Sequence, residues 1–209
     1  MHRHPTSKLI VFEGIEGSGK TTQIEFVHKF FENHGHTVNR LREPGGTQFG
    51  EKLRSAILES ETMIHPLAEA HLFASARAQI LFEKVFPILS KEKQIVILDR
   101  YFYSSIAYQG FARKLGAQKI IDLHNEEPLN LRPDICFYLK IDLETSHARQ
   151  SARGSEKDYF EKSNNEFYSA LINGYDYCAE NFKEIRTIDA AKDIEYVKEQ
   201  INSELTKLI

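Results

Sequence analysis

Cysteine is scarce in this chain, with two among 209 residues, Cys136 and Cys178. They lie far apart and form neither a CxxC pair nor a mixed His/Cys ligand spacing, which excludes a zinc module and a disulfide framework. A reducing, cytoplasmic setting is expected. Long apolar runs are missing too. None nears the roughly 20 residues that a membrane span requires, and the apolar stretch after residues 1–8 ends at Glu13 and Gly14, too soon for a secretory signal. Charge of one sign is lacking: 27 Lys and Arg stand against 30 Asp and Glu, a net charge of −3. That balance argues against a nucleic-acid-coating protein and leaves room for a local cationic pocket. With no repeat, low-complexity tract or Gly/Ser linker, the sequence is expected to form one domain over 1–209, long enough for a sizeable core.

Short β-rich runs alternate with helical patterns. Leu9-Ile10-Val11-Phe12 reads as a buried strand. A helix is expected over 21–34, with Ile24, Val27 and Phe31 on one face, ending at Gly35. A second strand is expected over 38–41, then a Glu43-Pro44-Gly45-Gly46 loop and helices over 48–59 and 66–89. Pro66 suits a first helical turn, and Pro87 is expected to kink or end the second helix. Ile95-Val96-Ile97-Leu98 is the uninterrupted apolar run of a strand buried on both faces. Residues 135–141 repeat it, 185–188 do so weakly, and a last helix is expected over 194–208. The pattern predicts an α/β fold, a central parallel sheet with helices on both faces. Ligands on such sheets bind at the carboxyl ends of the strands, here after Phe12, Leu41 and Leu98.

At the first of these ends, Gly14-Ile15-Glu16-Gly17-Ser18-Gly19-Lys20-Thr21 matches GxxxxGK[ST] between a strand and a helix. Its glycines let successive N–H groups turn inward as an anion nest, to which the helix N-terminus adds partial positive charge. Lys20 would span the β- and γ-phosphates of a nucleoside triphosphate and the Thr21 hydroxyl would ligate Mg²⁺. A GTPase reading is excluded, because neither DxxG nor NKxD occurs. Glu16 is out of place in a loop built for anions, so a substrate hydroxyl, a metal-bound water or a cation is expected beside it. Asp99 ends the third strand where an acid holds Mg²⁺ through water. Arg100 follows, placed to meet a second phosphate. Ser105 and Gln109 would share one helical face and could read a base edge. Glu69, Phe73 and Arg77 share another, and an aromatic face with a forked donor suits stacking on and reading a nucleobase.

These residues resemble the bacterial thymidylate kinases from about residue 9 to 197. Asp99-Arg100-Tyr101, Ser104-Ser105 and Ala107-Tyr108-Gln109-Gly110 are the most specific elements. Phe12-Glu13-Gly14, Arg42-Glu43-Pro44-Gly45-Gly46-Thr47, Glu51-Lys52-Leu53-Arg54, Leu72-Phe73-Ala74, Arg132-Pro133-Asp134 and Ile188-Asp189-Ala190 support them. The resemblance implies a P-loop kinase fold with a mobile lid and transfer of the ATP γ-phosphoryl to dTMP. By the same resemblance Phe73 stacks on thymine, Arg77 and Gln109 bond its edge, and Pro44 lines the space at the 5-methyl. Arg54 and Arg100 hold the acceptor phosphate with Ser104, Ser105 and Tyr108 nearby, and Glu16 meets the sugar 3′-hydroxyl region. Glu43 and Asp99 organise the metal and its waters, Thr22 joins the phosphate loop in binding ATP, and Ala190 lies beside the adenine. The loop centre carries no basic residue, so the resemblance assigns that charge to Arg149 and Arg153 of a lid at about 147–161. Tyr159 stands in that lid where the family commonly has arginine. The resemblance also implies a homodimer, with apolar surface around 67–89 and 120–123 as the expected contact. Two rival readings stay open at this point: a kinase for another monophosphate (dUMP, CMP or AMP), and a nucleotide switch with no acceptor.

Overall fold

A computed structural model describes residues 3–153 and 165–208, the Arg153 side chain excepted. Five parallel strands, β1 (Lys8–Glu13), β2 (Thr37–Arg42), β3 (Gln94–Asp99), β4 (Ile135–Lys140) and β5 (Ile185–Asp189), form one sheet in the order β2-β3-β1-β4-β5. Leu9, Ile10, Val11, Phe12 and Ile95 through Leu98 are all completely buried. Burial of consecutive strand residues requires cover on both faces of the sheet, since neighbouring side chains point oppositely. Helices supply it, as the unbroken apolar runs predict. In register, Phe12 lies opposite Asp99 and Arg42 opposite the same residue, so the ends of β1, β2 and β3 come together at one crevice.

The helices are α1 (Lys20–Asn33), α2 (Gln48–Leu58), α3 (Pro66–Ile80), α4 (Phe86–Leu89), α5 (Phe102–Ser105), α6 (Ala117–Leu123), α7 (Leu143–Arg153), α8 (Asn165–Asn181) and α9 (Ile194–Leu205). Pro66 opens α3 behind a His65 cap whose side chain accepts from the Leu67 N–H. Pro87 sits in the last turn of this rod, which runs on two residues to Leu89. A π-helical turn, Leu81–Val85, joins α3 to α4 directly before it, and the Phe86 N–H reaches back to the Leu81 carbonyl. Widening the helix at that point accommodates a ring that would otherwise press on the carbonyl one turn earlier. A second π-helical segment, Ile106–Ala112, continues α5, so Ser105 and Gln109 do not have the α-helical relation their spacing suggested. On α6, Ile120 is buried, while Ile121 and Leu123 pack against the core. Ile121 and Leu123 keep part of their surface exposed. No helix among the described residues is long and apolar enough to cross a membrane.

Candidate active site

The phosphate loop is held open from both ends. Gly14 has φ +138°, and a Cβ there would stand 2.6 Å from the Leu139 carbonyl oxygen, so a side chain is excluded on both counts. Gly19 precedes α1 in a left-handed conformation and no side chain caps the helix, leaving the first-turn N–H groups directed at the loop's interior. Lys20 donates from Nζ to the Gly14 carbonyl at 3.0 Å. Burial, then the nearby Arg100 charge, push its pKa down to about 8 against the opposing pull of Asp99, Glu16 and Glu13. From the other side α7 rests on the loop: the Ser146 hydroxyl donates to the Glu16 carbonyl at 2.7 Å and Arg149 donates to the Gly17 carbonyl at 3.2 Å.

Gly17, Ser18, Gly19, Thr22, Arg149 and Ala190 line a cavity of about 480 Å³. The loop, the second residue after the lysine, Arg149 of α7 and the segment after β5 thus meet around one space. The side chain of Arg153 and the remainder of the expected lid, including Tyr159, lie outside the described residues. Two buried oxygens in this part of the molecule, Ser18 Oγ and Asp99 Oδ1, have no hydrogen-bond partner among the described residues. An orphaned carboxylate oxygen at the end of β3, with the Thr21 hydroxyl in the first turn of α1, suits a hard divalent cation shared with substrate phosphates and water. No cluster of three or more His, Cys, Asp or Glu among the described residues could form a cage around a metal.

Arg100 joins the phosphate loop to a second cavity. Its backbone has φ +70°, a conformation that non-glycine residues rarely adopt and that folds tend to retain at functional sites. The turn brings its guanidinium over the phosphate loop, where it bonds the Gly14 carbonyl at 3.0 Å, Ser104 Oγ at 3.3 Å and the Tyr175 hydroxyl at 2.8 Å. It also forms an ion pair with Glu16, and Tyr108 donates to the same carboxylate at 3.0 Å. Burial by itself would raise the Glu16 pKa, but the Arg100 and Lys20 charges outweigh it and hold the carboxyl below its ordinary range. The cation expected beside Glu16 is therefore Arg100.

The second cavity, about 100 Å³, is lined by Glu43, Pro44, Leu58, Phe73, Arg77, Tyr101, Tyr108 and Gln109. Glu16, Arg54, Arg100, Ser104 and Ser105 complete its lining. Arg54 donates to the Pro44 carbonyl at 3.2 Å. Arg77 is gripped from several directions: its Nε pairs with Glu43 at 2.5 Å, and its NH1 bonds Ser105 Oγ at 3.1 Å and His124 Nε2 at 2.7 Å. Glu43 thus faces Arg77 within this cavity, and burial pushes its pKa up to about 7 although Arg77 pulls the other way. Burial, with Arg77 next in effect, drives His124 down to about 3. The ring is neutral at pH 7. Because guanidinium can only donate, Nε2 is its acceptor and Nδ1–H points at the Ile120 carbonyl 2.7 Å away.

Several supporting residues escape a reading of motifs. Glu13, at the end of β1, accepts from the Tyr101 N–H at 2.8 Å, the Ser104 N–H at 3.1 Å and the Ser104 hydroxyl at 2.6 Å, fixing the turn that carries Arg100. Its place directly before the phosphate loop, a carboxylate closing an apolar strand, was the available signal. His124, Ser146 and Tyr175 gave none, since each reaches the site across a long sequence separation.

Comparison with known proteins accords with this layout. The family model for thymidylate kinase matches residues 12–201. A thymidylate kinase of Caldanaerobacter subterraneus subsp. tengcongensis is 41% identical over 177 residues, covering 85% of this chain and 84% of its own. One from Thermoanaerobacter sp. is 38% identical over 195 residues, covering 93% and 95%. One from Alkalilimnicola ehrlichii is 36% identical over 204 residues, covering 97% and 94%. A nucleotide loop joined through one arginine to an aromatic, arginine-bearing cavity is thus carried by a chain that matches these relatives almost end to end, and the chain belongs to the thymidylate kinase family.

Proposed function

We propose that the chain, acting as one domain, transfers the γ-phosphoryl group of ATP to dTMP, giving dTDP and ADP. The observation that carries this reading is Arg100. It touches the phosphate loop at Gly14 on one side and lines the cavity of Phe73, Arg77 and Gln109 on the other. Donor and acceptor phosphates would meet there. A monophosphate with second pKa near 6 is largely a dianion at pH 7. Its oxygen attacks the γ-phosphorus, the bond to the β–γ bridging oxygen breaks, and no proton has to be removed first. Catalysis is then positioning and charge neutralisation.

Lys20 and the loop N–H groups hold the donor phosphates, with Ala190 beside the adenine. Arg54 and Arg100 hold the acceptor phosphate, with Ser104, Ser105 and Tyr108 around it. Phe73 stacks on the base, Arg77 and Gln109 read its edge, Pro44 lies by the methyl, and Glu16 serves both the sugar hydroxyl and Arg100. Thr21 and Asp99 would hold Mg²⁺, with Glu43 ordering the acceptor side through Arg77; the ion neutralises charge on the phosphates. Arg149 and Arg153 close from the lid, and Arg153→Ala is expected to lower kcat by about 10²-fold, the scale for one lost transition-state donor. Unchanged turnover in that variant would remove Arg153 from the mechanism. The reading includes a cytoplasmic homodimer without nucleic-acid or membrane partners, supported by the near-neutral charge and the buried free thiols of Cys136 and Cys178.

The direct test is ADP release from ATP·Mg²⁺ with dTMP, dUMP, CMP, AMP or no acceptor, with products resolved by chromatography. dTDP formed in step with ADP, mainly from dTMP, is expected. Preference for another monophosphate would overturn the base assignment, and acceptor-independent hydrolysis alone would overturn the reaction.

A further inference from the structure

Glu69 lies on α3, one turn before Phe73 and two before Arg77, and is completely buried. It stands behind Gln109, whose Nε2 donates to its Oε1 at 2.7 Å. Arg113 balances the charge, with NH2 3.2 Å from Oε2 and its guanidinium 5.3 Å from the centre of the Phe167 ring. An ionised carboxylate only accepts hydrogen bonds, so it dictates which end of the neighbouring carboxamide it receives. A carboxamide is otherwise nearly indifferent to a half-turn about its last torsion. Reversing Gln109 would set its oxygen against a buried carboxylate and forfeit a charge-assisted bond.

We propose that Glu69 is the specificity-determining positioning residue of the acceptor cavity: by engaging the Gln109 nitrogen it presents the Gln109 oxygen to the base. The inference rests on the function proposed above and extends it. Arg77 can only donate, and Gln109 held in this way turns its oxygen toward the cavity that both side chains line, so the two form a donor beside an acceptor. Such a pair complements an imide edge, N–H next to C=O, as in thymine. A 4-amino-2-oxopyrimidine offers a lone pair and an amino group at those positions and mismatches both. Selection against the aminopyrimidine is thereby built into α3, outside the cavity lining.

Glu69→Gln tests this, because amide can pair with amide in either orientation and the Gln109 carboxamide is released. The substrates are dTMP and 5-methyl-dCMP, which differ at the reading edge and keep the methyl group. The ratio of their kcat/KM values is expected to fall about tenfold or more, within the range for a mispaired buried polar group, through KM of dTMP rather than kcat. In a Gln109→Leu background the same substitution should leave the ratio unmoved. An equal loss on both substrates, or an effect that persists without Gln109, would reduce Glu69 to a counter-charge for Arg113 and overturn the proposal. A second measurement uses the unaltered protein: the Gln109 side-chain NH₂ signal, assigned by its absence in Gln109→Leu, should be protected from solvent exchange with and without dTMP. Rapid exchange, or loss of protection on adding dTMP, would also overturn it. Failure of the wild-type chain to phosphorylate dTMP would refute the function itself, an outcome separate from all of these.

Discussion

Lys20 is a cation held in a buried setting beside Arg100 before its substrate arrives. Its pKa in the folded chain is about 8, against an ordinary 10.5, so between these values the unfolded chain binds the extra proton and stability rises with pH. The depressed pKa therefore costs stability at pH 7, and that cost disappears above the unfolded value. Lys20→Met is expected to unfold at higher urea concentration than wild type at pH 7, by on the order of 2 kcal/mol, with the gap closing toward pH 10.5. The same variant should lose turnover by roughly 10²–10³-fold. Urea titrations of both proteins at the two pH values decide the point, and a gap independent of pH would show that Lys20 is not strained by its surroundings. Lys20, Asp99, Arg100 and Glu16 were legible from the sequence because a strand end, a glycine loop and a helix start fix where a side chain must point. Glu16's true partner was not legible: it required knowing that Arg100 turns back through a left-handed backbone, which no local pattern reveals.

Elements were read with their limits displaced by a residue or so wherever apolar runs were long, as in β1 and β3, because burial on both faces leaves no other use for such a run. The π-helical segments were not legible. Their wider turn is dictated by packing and not by periodicity, and the second carries Tyr108 and Gln109 into the acceptor cavity. What sets it there is α8. A Cβ on Gly174 would stand 2.6 Å from Ala107 Cα and 3.1 Å from its Cβ, a backbone approach that only glycine permits. Gly174→Ala is expected to destabilise by about 1–3 kcal/mol, as overpacking does, and to raise KM for dTMP while leaving KM for ATP nearly unchanged. A denaturant midpoint shift together with that split in KM values would tie the helix crossing to the acceptor site. Equal changes in the two KM values would show that the crossing supports the whole fold without singling out that site.

At the scale of the whole molecule, the distribution of exposed apolar residues is uneven. Phe49 is 48% exposed, Met63 89%, Leu67 48% and Phe82 64%, from α2 into the first π-helical turn, and Ile194 and Tyr196 on α9 are exposed as well. On α6, Ile120 is buried while Ile121 and Leu123 stay partly exposed. We take the stretch from α2 to the first π-helical turn as the contact of the proposed homodimer. A symmetric pair would present that stretch to itself. It would also brace the rod from Pro66 to Leu89 on which Glu69, Phe73 and Arg77 are mounted, so that assembly and the acceptor cavity share one support. Sedimentation equilibrium of the wild-type chain at micromolar concentration is expected to give twice the chain mass, and Phe82→Glu to move it toward the monomer because it would place a carboxylate in the dry contact. A wild-type monomer would remove the dimer from the proposed function. A Phe82→Glu dimer would place the contact elsewhere and leave the exposed aromatic residues of this stretch to another partner.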